Sequence, residues 1–263
     1  MDNKTKVVIL AGGLGTRISE ESYLKPKPMI EIGGIPILVH IMNIYSSYGY
    51  TDFVICAGYK QEKIKEYFQN YFINNSDVTF DMQSNKEIIH KAPKSNWKVT
   101  VVNTGLNTET GGRIKQIEKY IGNNQFLLTY GDAVGDIDIN EVVEYHNSTK
   151  KIGTTTVYNF GQSKGVLDID KEGNVNVFRE KSDLDGDLIN IGFMVMEPEV
   201  FRLLIDDNTN FEKDVLIKLV EMKQLNCCTH KGYWQCMDTI REKEKLEKLW
   251  SKGNAPWKVT RNK

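Results

Sequence analysis

The sequence predicts an α/β fold: a Rossmann-like, mostly parallel mixed sheet flanked by helices, with a small β-rich part appended to it. Three observations predict it. Strand-like and helix-like patterns alternate through residues 1–150, a glycine cluster stands at the end of the first strand, and strand patterns crowd together after Ile152. Alternation of strand and helix favours a parallel sheet covered on both faces, because each crossover helix needs a sheet face on which to bury its apolar stripe.

The elements follow in chain order. Lys6–Ala11 is a short β-branched run that ends abruptly in Gly12-Gly13-Leu14-Gly15. Leu38, Ile41, Met42, Tyr45 and Tyr48 place apolar residues on one face of a helix over Pro36–Tyr48. Asp52–Ala57 is the next buried strand, and Ile64, Tyr67, Phe68, Tyr71 and Phe72 mark a second helix. Val78–Met82 and Trp97–Val102 both alternate with period two and are expected to lie outside the main sheet. Helical spacing returns over Gly112–Ile121, and Phe126–Tyr130 is a strand running into Gly131-Asp132. Beyond Ile152, Thr154–Tyr158, Val166–Ile169, Val175–Phe178 and Ile189–Met196 read as strands. Helices are expected at Pro198–Ile205, Lys213–Lys223 and Thr239–Trp250, the last laced with charge and expected to carry i,i+4 ion pairs on a solvated face. No linker, repeat or low-complexity tract interrupts the chain, so residues 1–263 read as one domain with halves of about 1–150 and 151–263.

Composition narrows the function. With 34 Lys+Arg against 35 Asp+Glu the formal net charge is −1, which excludes a polybasic nucleic-acid coat or membrane binder. No apolar run approaches the roughly 20 residues needed to span a bilayer, and none resembles a secretory signal; a cytoplasmic protein is expected. Cys56, Cys227, Cys228 and Cys236 include no C-x-x-C pair, the four histidines are scattered, and the cysteines read as small buried hydrophobes.

The glycine cluster is the first site candidate. Glycines after a strand let backbone N–H groups approach a polyphosphate, although a tight turn needs them equally. The P-loop pattern fails because Thr16-Arg17 follows Gly15, and the dinucleotide fingerprint fails because Ile18 occupies its third glycine position. Arg17 alters the weighing, since a planar guanidinium matches phosphate oxygens. Lys27, between Pro26 and Pro28, is held in a stiff extended segment, as a phosphate-binding lysine or as an ordinary surface one. Asp132 follows a strand directly and Asp238 follows Trp234-Gln235-Cys236-Met237; each suits a hard cation, and a helix cap is the alternative for Asp132.

Leu10-Ala11-Gly12-Gly13-Leu14-Gly15-Thr16-Arg17 followed by Lys25-Pro26-Lys27-Pro28-Met29 resembles the sugar-1-phosphate nucleotidyltransferases. Within that family Ile18-Ser19-Glu20-Glu21, Glu31-Ile32-Gly33-Gly34, Thr110-Gly111-Gly112-Arg113, Thr129-Tyr130-Gly131-Asp132 and Met237-Asp238-Thr239 resemble the cytidylyltransferases that act on glucose 1-phosphate. The likeness extends over nearly the whole chain and implies CTP and a sugar 1-phosphate as substrates, a CDP-sugar for surface polysaccharide as product, Mg²⁺ as cofactor, and a homo-oligomer. It implies catalysis by Arg17 and Lys27, and nucleotide binding by Leu10, Ala11, Gly12, Gly13, Gly15, Thr16, Arg17, Lys27, Thr110, Gly111, Gly112 and Arg113. It also implies a metal on Asp132 and Asp238, and a β-rich sugar-binding part using Tyr130, Gly131, Gly165, Glu180, Lys181 and Asn190. Three positions depart from the family pattern: Lys164, Ser182 and Ile191, the last putting a branched side chain beside the expected sugar. Other readings are the same chemistry with UTP, dTTP or a different phosphorylated acceptor, and a nucleotide-sugar-binding module without turnover. A binding module has no need of the aspartate pair.

Overall fold

The computed structural model describes residues 5–93, 95–159, 166–169, 174–179 and 188–258. Its main sheet contains β1 (Lys6–Ala11), β2 (Asp52–Ala57), β3 (Lys98–Asn103), β4 (Phe126–Tyr130), β5 (Gly153–Asn159), β6 (Leu188–Asn190), β7 (Met194–Met196) and β8 (Leu225–His230). β1 pairs in parallel with both β2 and β4, and β2 pairs in parallel with β3. Beyond β4 the sheet turns antiparallel through β7 and β5. β6 and β7 share one edge of β5, and β8 runs parallel along its other edge. The sheet is thus mixed and parallel at its centre, as the strand–helix alternation requires.

β3 corrects one expectation. The Trp97–Val102 pattern belongs to the edge strand of the main sheet, and only its former companion forms an outlying hairpin, Asp77–Asp81 with Lys86–Lys91. Alternation alone cannot distinguish these cases, because an edge strand packed on one face has the same period as a free hairpin. The long run Ile189–Met196 is likewise divided, since Gly192 at φ +79° turns the chain between β6 and β7.

Alternation along the central strands fills two cores. Val7 and Ile9 face one side with Phe53, Ile55 and Leu127, against α1 (Ile37–Ser47), which contributes Ile37, Leu38 and Ile41. Val8 and Leu10 face the other with Val54, Cys56, Phe126 and Leu128, against Ile114 of α2 (Thr110–Gln116) and against Phe201, Phe211 and Val215. Burying each such large apolar side chain contributes about 1.5–3 kcal/mol before entropy is counted. Pro198–Leu203 is a 3₁₀ segment, and Phe211–Leu216 is a π-turn leading into the helix Ile217–Glu221, where regular helices were expected.

The charged C-terminal helix, α3 (Ile240–Ser251), has Thr239 as N-cap in a reciprocal capping box with Glu242. Its ion pair among the described residues does not run i,i+4. Lys243 reaches Glu21 instead, and Glu247 accepts from the Gly33 N–H, so the charges tie the helix to the N-terminal segments. Of the cysteines only Cys56 is buried; Cys227 is exposed and Cys228 and Cys236 are half-buried, contrary to the reading as core hydrophobes. The strand Leu225–His230, which carries Cys227 and Cys228, lies at the sheet edge and is only half-buried. No helix among the described residues is long and apolar enough to cross a membrane.

Candidate active site

A cavity of about 610 Å³ opens where the carboxyl ends of β1 and β4 meet, the usual ligand position in an open α/β sheet. The loop Gly12–Arg17 forms one wall, Leu106–Thr110 with Arg113 another, and Lys27, Pro28, Tyr130, Gly131, Asp132 and Asp238 complete it. Leu10, Ala11, Gly12, Gly13, Gly15, Thr16, Arg17, Lys27, Thr110, Arg113, Tyr130, Gly131, Asp132 and Asp238 are therefore brought together in one cavity. Gly111 and Gly112 are not in the lining. Both are buried against the backbone of residues 207–209, where an added Cβ would lie 2.6 Å from the Thr209 and Asp207 backbones. They seat α2 rather than face the cavity.

The charged centre of the site is Lys27. Its side chain is 12% exposed, and its ammonium donates to Asp132 Oδ2 at 2.6 Å and to Asp238 Oδ1. Burial pulls its pKa down, but the Asp132 charge and the two carboxylate hydrogen bonds outweigh that and raise it above the ordinary value. Arg17 donates to the other oxygen of Asp238 at 2.7 Å, with its own side chain 76% exposed at the cavity mouth. Asp238 comes from the far end of the chain, held by the ladder Trp234–Cys236 against Ala133–Gly135 and by Met237 N–H donating to the Asp132 carbonyl at 2.9 Å. Asp132 sits in the turn before Ala133 and caps no helix.

Two carboxylates converging on one cation are a donor set that a small divalent ion accepts, with water and substrate phosphate completing its shell. No group of three or more His, Cys, Asp or Glu side chains is assembled for a metal among the described residues, so a closed zinc or calcium cage is not what this site offers.

Arg113 lines the cavity and is also tied into the fold. It is 5% exposed, and its guanidinium donates to the Thr104 hydroxyl at 2.8 Å and to the Gly105 and Leu106 carbonyls at 2.7 and 3.2 Å. An added Cβ at Gly12 would stand 2.2 Å from its Nη1, and one at Gly58 would stand 2.6 Å away. Neither glycine has positive φ, so each is needed for the space the guanidinium fills. Arg113 is therefore hydrogen-bonded to the loop after β3 and packs closely against the loops after β1 and β2. Gly13, by contrast, has nothing within 4 Å of its would-be Cβ and faces open cavity. Gly58 and the Leu106–Thr108 wall were missed from sequence; a glycine directly after the second strand was the one available signal.

On the acceptor side, Asn190 lies on β6 and donates to the Tyr130 hydroxyl at 3.3 Å. Ile191 is 2% exposed inside the core on the α1 side, so its branched side chain does not narrow the cavity as its sequence position implied. Gly165, Glu180 and Lys181, with Lys164 and Ser182, lie outside the described residues.

A glycine-rich loop after the first strand of a Rossmann-like sheet, two basic side chains and a pair of acids in one cleft define a phosphoryl-group-handling site. The family model for nucleotidyl transferases matches residues 6–241, and the chain belongs to that family. It is 49% identical, over 97% of its length and 99% of the relative's, to the glucose-1-phosphate cytidylyltransferase of Salmonella typhimurium. Solved structures share the fold. HddC from Yersinia pseudotuberculosis superposes with a TM-score of 0.67 at 24% identity, covering 94% of this chain and 99% of that one. UDP-glucose pyrophosphorylase complexed with UDP-glucose gives 0.68 at 17% identity, covering 95% of this chain and 99% of that one.

Proposed function

We propose that the chain transfers CMP from CTP to α-D-glucose 1-phosphate, giving CDP-glucose and pyrophosphate. The observation that carries this reading is the convergence of Arg17, Lys27, Asp132 and Asp238 in one cavity of a chain so similar to a cytidylyltransferase of that specificity. An acceptor phosphate oxygen attacks the α-phosphorus of CTP, the bond to the bridging oxygen breaks, and pyrophosphate leaves. The acceptor is a phosphate monoester with a second pKa near 6, so its nucleophilic oxygen is already ionised and no general base is needed. Catalysis then rests on alignment and charge neutralisation.

In this reading the open loop at Gly13 receives the triphosphate. Arg17, exposed at the cavity mouth, moves from Asp238 onto phosphate oxygens and stabilises the charge on the departing pyrophosphate. Lys27 neutralises the oxygens around the α-phosphorus, held there by the 3₁₀ turn Lys27–Met29 that stands in place of the extended segment expected between the two prolines. Asp132 and Asp238 would hold Mg²⁺, which supplies charge neutralisation on phosphate oxygens when bound. Residues 1–150 supply the nucleotide half and residues 151–263 the acceptor half.

The test is pyrophosphate release with Mg²⁺, crossing CTP, UTP, dTTP, ATP and GTP with a panel of sugar 1-phosphates. Turnover with CTP and glucose 1-phosphate is expected to exceed every other pairing. Turnover with UTP or dTTP but none with CTP would overturn the assignment.

A further inference from the structure

Glu212 belongs to no motif of the sequence and does not line the cavity, yet its carboxylate bridges two residues that do. Oε2 accepts from the Thr110 hydroxyl at 2.7 Å and Oε1 accepts from the Tyr130 hydroxyl at 2.7 Å. Thr110 stands at the start of α2, and Tyr130 at the end of β4 beside Gly131-Asp132. Each hydroxyl is oriented by a second bond that it accepts. The Phe211 N–H donates to Thr110 Oγ1 at 2.9 Å, and Asn190 Nδ2 donates to the Tyr130 hydroxyl at 3.3 Å. Both hydroxyl protons are therefore committed to Glu212.

The connection extends further on the acceptor side. Asn190 Oδ1 accepts from the Thr155 hydroxyl at 2.6 Å and from the Gly192 N–H at 3.0 Å, which fixes which way its amide faces. Gly192 also lets the chain pass close to Tyr130, since a Cβ there would lie 3.0 Å from the ring. Glu212 itself is anchored by its neighbour Phe211, fully buried in the core, and it lies on the π-turn Phe211–Leu216. Such an expanded turn re-aims a side chain relative to a regular helix and recurs at functional sites. Gly111 and Gly112 complete the arrangement by letting α2 settle against residues 207–209, which brings Thr110 up to Glu212.

We propose that Glu212 is a positioning residue for nucleotidyl transfer, its carboxylate setting the distance between the nucleotide wall at Thr110 and the acceptor wall at Tyr130. The assignment rests on the reading of the cavity as a CTP and sugar 1-phosphate site. A carboxylate is required because both partners donate. Hydrogen bonds to a charged acceptor are roughly twice as strong as neutral ones and tightly directed. Glutamine has the same shape but only one accepting oxygen; its amide nitrogen would face a hydroxyl whose proton then has no acceptor.

The test compares wild type, Glu212→Gln, Tyr130→Phe and the double variant. It measures thermal unfolding and steady-state kinetics with varied CTP and varied glucose 1-phosphate. Glu212→Gln is expected to lower kcat about 10- to 100-fold, the scale of a misplacement of about 1 Å transmitted to the reacting groups, with little change in the unfolding midpoint. Because Glu212 acts through Tyr130, the double variant should fall within about threefold of the weaker single variant, as expected of residues acting as a unit. Wild-type kinetics in Glu212→Gln, or losses that multiply in the double variant, would overturn the proposal. So would a fall in kcat matched by a proportionate loss of folded protein. If Glu212→Gln does not fold, Tyr130→Phe with unaltered kcat and KM overturns it alone. A wild-type chain that turns over no nucleotide in the panel sinks the reading of the cavity; an active wild type with a fully active Glu212→Gln sinks this assignment only.

Discussion

Replacing Gly12 with alanine puts a methyl group into space that the Arg113 guanidinium already occupies. The added Cβ would lie 2.2 Å from Nη1, 2.4 Å from Cζ and 2.7 Å from Nε, all well inside van der Waals contact. A free arginine would swing away, but this one is 5% exposed and bound to Thr104, Gly105 and Leu106. It is also hemmed in by Gly58, on the loop after β2. Hydrogen bonds to a charged group are worth about 1.5–3 kcal/mol each, and overpacking a filled site costs about 1–3 kcal/mol. Losing one strong bond and straining the rest gives a destabilisation of about 2–4 kcal/mol on those same scales. For a chain of this size that is a fall in Tm of about 5–15 °C. Differential scanning fluorimetry and urea unfolding measure it directly. Gly13→Ala, where the new Cβ meets nothing within 4 Å, should leave Tm nearly unchanged while weakening CTP binding measured by calorimetry. In an Arg113→Ala background the cost of Gly12→Ala should largely vanish. A Gly12→Ala protein with wild-type Tm, or costs that simply add in the double variant, would refute the steric account and return Gly12 to the role of phosphate contact alone.

Three further outcomes are expected. Lys27→Met removes the ammonium shared by Asp132 and Asp238 and should lower kcat about 10²- to 10³-fold, the scale of losing one preorganised charge donor. Its stability cost should be about 1–3 kcal/mol, below that of a fully buried pair because the aspartate side chains are 31% and 23% exposed; undiminished pyrophosphate release in this variant removes Lys27 from the mechanism. Glu242→Ala breaks the capping box and frees the Asp238 N–H, which the Glu242 carboxylate accepts at 2.7 Å, so it should cost about 0.5–2 kcal/mol and reduce turnover together. A stability loss with unchanged kcat shows that the cap does not orient Asp238. His40 is 3% exposed, between the Ile32 carbonyl at 2.9 Å and the Trp257 indole N–H. Burial lowers its pKa from 6.5 despite the Ile32 hydrogen bond. A buried neutral histidine contributes stability that is complete above its unfolded pKa and is lost as pH falls from there through its lower folded value. His40→Gln should therefore flatten the fall of stability below about pH 6.5; an identical pH slope in the variant excludes His40 as a contributor.

Particular residues show how far sequence reading reaches. The β1 strand, the glycine loop, Arg17 and Lys27 were legible because they are local: a β-branched run, glycines and prolines constrain the backbone within a few residues of themselves. Asp132 and Asp238 were found as single residues on motifs, but the lysine ammonium held by both is visible only in three dimensions. Arg113 follows Thr110-Gly111-Gly112, where the resemblance implies a nucleotide contact; in the fold it lines the cavity and also donates to three atoms of the loop after β3, which only the tertiary structure brings to it. Ile191 stands in sequence beside the expected sugar, whereas the turn at Gly192 leaves its side chain in the core on the α1 side. Glu212 gave no signal at all, since its partners Thr110 and Tyr130 lie 102 and 82 residues away.

The sequence by itself determined the α/β class, the cleft at the end of the first strand and the chemistry available in it. Those depend on periodicity, backbone permissiveness and residue type, which short segments carry. Tertiary structure alone decided which charges face each other, which glycines make room for Arg113 rather than for phosphate, and that one carboxylate joins the two walls of the cavity. The physical reason is range. Hydrogen bonds and steric exclusion act over about 3–4 Å, and only the folded sheet brings residues from opposite ends of the chain within that distance.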